Sequence, residues 1–309
     1  MAGEPLWNRR LVLVTGKGGV GKTSVVAALA RDAQAAGRRV LVAEISSDAN
    51  AGSALMARLG HRGFKDTEPR RLESGLTGVR VTPSTGHRLF LQAALHVRVV
   101  VDAAMRSAAL RRFLMAAPAF PEVGTLFQLV SLLRSDDYDH VLVDLPATGH
   151  ALGLASLPRT VLKIVPGGLI GTAIREGLEI MTDPERGRAV VVTLPEAMPV
   201  SETMELTEGL RQIGVPVEAL VLNRIPSDPF NDEERAALDE HLGRHDHALL
   251  LGGREFRRLE RARIARQRFD REAPEDVRRI HVPELASGEA RESDVVESLR
   301  VELARGSVA

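Results

Sequence analysis

Short, unbroken apolar runs punctuate the chain. They are "LVLVT" (11–15), "RVLVAEI" (39–45), "VRVTP" (79–83), "HVLVDLP" (140–146), "AVVVTL" (189–194) and "ALVLNRI" (219–225). Continuous Val, Leu and Ile without polar alternation predicts strands buried on both faces, as in a parallel sheet. Between them, apolar residues recur at helical spacing in 21–36, closed by Gly37, in 122–134, in 201–213, closed by Gly214, and in 231–243. This alternation predicts an α/β fold with a doubly wound, mostly parallel sheet. Two stretches break it. Residues 88–134 and 151–187 are rich in Leu, Ala, Val and Arg at helical spacing, and are expected to be short helical inserts outside the sheet, together a reduced helical subdomain. No repeat or linker divides the chain, so 1–309 is expected to be one domain. In "REFRRLERARIARQRFDRE" (254–272) acids are interleaved with the arginines, which predicts a solvated helix face and no nucleic-acid patch.

Composition narrows the class. Hydrophobic residues make up 44%, the formal net charge is zero and aromatics are 3%. A sizeable core built from Val, Leu, Ile and Ala follows, with no long-range pull toward nucleic acid or anionic membrane. Without cysteine, the chain has no disulfide, thiolate metal site, cysteine nucleophile or cysteine-held cluster. No apolar run reaches the length of an integral membrane segment, and "MAGEPLWNRR" lacks an apolar signal core, so a cytoplasmic protein is expected.

Only four of the 41 basic residues are lysines (Lys17, Lys22, Lys65 and Lys163), and two of these lie in "GKGGVGKTS" (16–24). That segment fits G-x-x-x-x-G-K-[ST], follows a predicted strand and opens a predicted helix, the context a phosphate-binding loop requires. Gly16, Lys17, Gly18, Gly19, Val20 and Gly21 would curl the backbone so that successive N–H groups face nucleotide phosphates. The helix N-terminus adds partial positive charge. Lys22 is expected on the β- and γ-phosphates, Thr23 on Mg²⁺ and Ser24 near the α-phosphate. A glycine turn without ligand is the competing reading. Lys17, directly after the first glycine, marks the "deviant" form of this loop, found in ATPases that dimerise face to face with this lysine reaching the partner's phosphates. A merely exposed loop lysine is the plainer alternative.

Two further strand ends are candidates, because open α/β sheets bind ligands beyond the carboxyl ends of their strands. Asp144 ends "HVLVD" and is expected to hold Mg²⁺ through water; a helix-capping aspartate is the alternative. Asp48 follows the second strand in "AEISSDAN" and could orient or deprotonate the attacking water; a turn aspartate is the alternative.

At "DLPATGH" the chain resembles the ArsA-type ATPases, which include arsenite-pump ATPases and the ATPases that target tail-anchored membrane proteins. Asp144, Thr148, Gly149 and His150 match the family's D-T-A-P-T-G-H, with Leu145-Pro146-Ala147 departing between them. The resemblance continues through 190–225, with a Pro-Glu after a strand, a Glu-Thr opening a helix and an Asn ending the next strand. It implies that Asn223 hydrogen-bonds adenine and that "HVPEL" (281–285), with Pro283, forms a late adenine-side loop. Other features depart. The family's D-P-A-H is reduced to Asp48 followed by Ala49-Asn50, and cysteines for a dimer-bridging zinc or for metalloid are absent.

The resemblance implies a Mg²⁺-dependent ATPase that hydrolyses ATP to ADP and phosphate, works as a dimer of identical chains or of two paralogues, and couples nucleotide state to a client. A hydrophobic client would bind apolar stripes in 89–117 and 160–181; packing of those stripes on the sheet is the alternative. Pro166-Gly167-Gly168 is expected to break the second stripe into a mobile elbow. Two rivals share the loop: a Min/Par-type positioning or partition ATPase, and a nucleotide-bound scaffold with little turnover.

Overall fold

The computed structural model describes residues 4–46, 51–95, 120–164, 166–244, 252–285 and 292–306. Its strands are β1 (Leu11–Gly16), β2 (Val40–Ile45), β3 (Arg70–Glu73), β4 (Leu76–Val81), β5 (His140–Asp144), β6 (Gly187–Thr193), β7 (Val217–Ile225) and β8 (Arg278–Pro283). They form one sheet in the order β3-β4-β2-β5-β1-β6-β7-β8. Every neighbouring pair is parallel except β3–β4. The chain order reverses about the central β1, which brings the carboxyl ends of β1, β2, β5 and β6 to one crevice, the place where such sheets bind ligands.

The helices are α1 (Lys22–Ala35), α2 (Ala54–Arg58), α3 (Pro83–Leu95), α4 (Phe120–Leu133), α5 (Thr148–Ile164), α6 (Gly168–Thr182), α7 (Ala197–Gln212), α8 (Asp232–Arg244), α9 (Gly253–Glu272) and α10 (Glu292–Gly306). On one face of the sheet α1, α2 and α10 cover Val12, Val14, Val42, Leu142 and Val190. Val25, Val26, Leu29, Ala30 and Ala33 of α1 recur at helical spacing and are all buried there, the mark of a helix packed along one stripe. Val296, Leu299 and Leu303 of α10 are buried in the same layer.

The helices of 120–182 pack on the other face of the sheet. Phe127 and Val130 of α4, Leu154 and Ala155 of α5, and Ile174 and Met181 of α6 share one buried cluster with Leu13, Val143 and Val191. Their apolar stripes are the sheet's second covering layer, because bare β-strands would otherwise expose Val and Leu to water. Phe90 of α3 meets Phe127 edge to face, with centroids 5.5 Å apart. The expected break is present: α5 ends at Ile164, α6 begins at Gly168, and Arg175 Nη2 donates to Pro166 O at 2.7 Å. Most of 89–117 lies outside the described residues.

Two strands were not legible as apolar runs. β3 is a short, charged, largely exposed edge, the form in which sheets blunt their edges. In β8 only Ile280 and Val282 are buried, so its alternation hides a strand within what reads as a charged helix followed by a loop. Among the described residues no helix is long and apolar enough to cross a membrane.

Candidate nucleotide-binding site

Buried β1 runs straight into the glycine loop, and the loop into α1. Glycine is required sterically at both ends of the turn. Gly16 has φ +142°, and a Cβ there would lie 2.1 Å from Val192 O of β6. Gly21 has φ +100°, and its Cβ would lie 2.4 Å from Asn223 Nδ2. Gly18 and Gly19 have nothing within 4 Å of an added Cβ, which leaves open space over the middle of the loop. Val20 is buried and pins the loop to the α1 face, while Ser24 sits in the first turn of α1, its N–H bonded to Gly21 O at 3.1 Å.

Lys22 folds back over this turn. Its Nζ donates to Gly16 O at 3.1 Å and Lys17 O at 3.0 Å. Burial pushes its pKa below the usual lysine value, with the charge of Asp144 opposing the shift. An ammonium held on backbone carbonyls in a partly desolvated site is ready to exchange them for phosphate oxygens.

Thr23 Oγ1 donates to Asp144 Oδ2 at 2.7 Å. Asp144 is buried at the end of β5, and its Oδ1 has no hydrogen-bond partner. Burial raises its pKa to about 6; the nearby charge of Glu44 adds to this, while the Thr23 hydrogen bond and Lys22 oppose it. A buried carboxylate oxygen with no donor, beside a threonine hydroxyl, is the donor set a hard divalent cation takes up, so these residues fit Mg²⁺. Thr148, Gly149 and His150 open α5 just beyond Asp144.

Neither Glu44 nor Arg80 was singled out from the sequence. Glu44 is the register partner of Asp144 across β2–β5. It accepts hydrogen bonds from Ser53 Oγ and, at 2.9 Å, from Leu55 N, which ties down the start of α2. Arg80 is fully buried on β4, the register partner of Glu44, and its Nη2 donates to Ser46 Oγ at 2.9 Å. The available signal was a charge inside an otherwise apolar strand run, which is expensive unless partnered. Asp48 lies outside the described residues; Ser46 and Ser53 on either side of its loop are anchored to Val81 O and Phe64 O, each at 3.0 Å.

On the other side of the loop, Asn223 is buried at the end of β7. Its Nδ2 donates to Val20 O at 2.8 Å, and its Oδ1 accepts from Arg224 N at 3.0 Å. The amide therefore braces the glycine loop while retaining one N–H and one lone pair. Pro283 is exposed at the end of β8, in register with Ile225. Beside these residues a groove of 670 Å³ runs between α7 and α9, lined among others by Met198, Arg224, Arg261, Ile264 and Glu284. Lys17 touches the lining residue Met198, with Nζ 3.2 Å from its Sδ and 2.7 Å from Glu202 Oε1.

The strand order and the glycine loop between β1 and α1 are those of a nucleotide-binding P-loop fold. Residues 9–166 and 171–242 match the model of the anion-transporting ATPase family, and the chain belongs to this ArsA-type family. It is 29% identical over 223 residues to "ATPase BagA" of Mycobacterium tuberculosis, covering 70% of this chain and 65% of that protein. It is 28% identical over 245 residues to the "Arsenical pump-driving ATPase" of Escherichia coli, covering 72% of this chain but 40% of that protein. It is also 24% identical over 252 residues to "ATPase asna-1" of Caenorhabditis elegans, covering 69% and 74%.

Proposed function

We propose that the chain is a Mg²⁺-dependent ATPase whose nucleotide state opens and closes a two-subunit clamp. The observation that carries this reading is the Lys22, Thr23 and Asp144 constellation at the carboxyl ends of β1 and β5, with the orphan Asp144 oxygen at its centre. Lys22 binds the β- and γ-phosphates. Thr23, and Asp144 through water, hold Mg²⁺, which when bound neutralises charge on the phosphate oxygens. Asp48 orients the attacking water. Asn223 and Pro283 flank adenine, and Lys17 reaches the nucleotide of a second subunit, identical or paralogous.

The support for a client is more restricted. Ile174, Ile180 and Met181 face the core, so the stripe of 160–181 is already covered, and a client surface is to be sought in 89–117 or on a partner chain. Burial of Val296, Leu299 and Leu303 of α10 likewise commits that helix's apolar stripe to the fold.

Phosphate release with Mg²⁺ and ATP is the test. Turnover is expected in the wild type, at least about tenfold less in Asp48→Asn with ATP still bound, since water positioning is what that substitution removes. No Mg²⁺-dependent turnover at any protein concentration, with ATP bound, would leave the nucleotide-bound scaffold as the better account.

A further inference from the structure

Lys17 lies against its own subunit. Its ammonium is 2.7 Å from Glu202 Oε1 and touches Met198 Sδ at 3.2 Å, and both residues come from the first two turns of α7. The helix offers a fixed anchor. Pro199, Val200, Thr203 and Leu206 bury one side of it. Arg268 of α9 donates to Ser201 Oγ at 2.8 Å and is itself held by Glu272. Glu202 therefore projects from a rigid wall, while Lys17 sits on a loop whose centre is open. Both side chains are about one-third exposed, 35% for Lys17 and 33% for Glu202. An ion pair so exposed is weak and screened by salt, so a triphosphate, with more charge, can outcompete the carboxylate. An ammonium engaged here cannot at the same time lie on a phosphate of another subunit.

We infer that Glu202 is a positioning residue that parks Lys17 on its own subunit and sets how readily this lysine crosses to a second subunit's nucleotide. The inference rests on the reading that Lys17 acts across the interface. The parked state keeps the loop's surface charge neutral until a second, ATP-loaded copy is in place. This links hydrolysis to assembly without any further domain.

Three variants of the full chain test it: Glu202→Gln, Lys17→Ala and the double variant, each checked by thermal melting. Dimer formation with Mg²⁺ and ATP is read by sedimentation, and kcat and KM by phosphate release. Glu202→Gln is expected to dimerise at about three- to tenfold lower protein concentration and to raise kcat at limiting protein, with KM for ATP within about twofold. Raising the salt should bring the wild type toward Glu202→Gln, because screening weakens the same pair. Lys17→Ala should turn over slowly, and the double variant should match it. Slow Lys17→Ala with Glu202→Gln either indistinguishable from wild type or slower overturns the role of Glu202 and leaves the crossing lysine intact. Lys17→Ala turning over like wild type removes the crossing lysine, and this inference with it.

Discussion

The two faces of the sheet are built from the same aliphatic strands and do different work. Beneath α4, α5 and α6 the strand side chains meet other aliphatic side chains. On the α1 and α2 face, the carboxyl ends of neighbouring strands place Arg80, Glu44 and Asp144 in register, side by side across β4, β2 and β5. Charged groups in a sheet interior are costly unless partnered. Here each has a partner: Arg80 donates to Ser46, Glu44 accepts from the start of α2, and Asp144 accepts from Thr23 beside the glycine loop. An apolar helix stripe reports packing; a charge buried at a strand's carboxyl end reports a site. The first region could be repacked without touching chemistry, whereas the second could not.

The largest effect that sharpens this contrast is expected on the apolar face. Ile174→Ala should lose about 2–5 kcal/mol of stability by opening a cavity at a 1% exposed site, with nucleotide affinity of the folded fraction within about twofold. Denaturant unfolding and a fluorescent-nucleotide titration measure both. A large affinity loss without destabilisation would erase the distinction between the faces. On the loop face the pattern should invert: Lys22→Ala should weaken ATP binding at least about 100-fold, because its ammonium and the phosphate cradle act together, with little change in the melt.

Asp144 supplies a smaller effect of unusual sign. Its folded pKa of about 6 lies above the ordinary aspartate value of 3.8, chiefly from burial. The native state therefore holds the proton more tightly, and the ionised group destabilises the nucleotide-free fold at neutral pH. That penalty is fully present above about pH 6 and relieved as pH falls toward 4, worth at most about 3 kcal/mol. Asp144→Asn should flatten this contribution between pH 4 and 6.5 and abolish Mg²⁺-dependent strengthening of ATP binding. Unfolding midpoints across pH, with wild type in parallel, settle it; identical pH slopes would mean the carboxylate is not desolvated. The smallest effect is expected at the rim of the apolar face. Ile170 of α6 is half-buried against the core, so Ile170→Asp should lower stability by about 1–2 kcal/mol. Weakened partner capture with an unchanged melt would instead restore 160–181 as a client surface.

The chain's one-dimensional pattern determined a good deal of this protein. The apolar runs located six of the eight strands among the described residues, and G-x-x-x-x-G-K-[ST] after the first of them located the loop, because a phosphate cradle is built from consecutive backbone groups and needs no distant partner. Gly16 and Gly21 are legible for the same local reason, although what forbids a side chain there, Val192 O and Asn223, lies far along the chain. Tertiary structure decided what depends on partners remote in sequence. Helical spacing in 120–133 and 168–182 is the same whether the stripe faces a client or a sheet, and only the packed layer showed that it faces the sheet. Likewise, nothing in "VAEI" or "VRVTP" pairs Glu44 with Asp144 or sets Arg80 on Ser46. Strand order does that, since parallel register aligns residues a hundred positions apart. Lys17 shows the division within one residue: its place after the first glycine marks the loop type, while its contact with Glu202, 185 residues later, exists only once α7 is folded beside the loop.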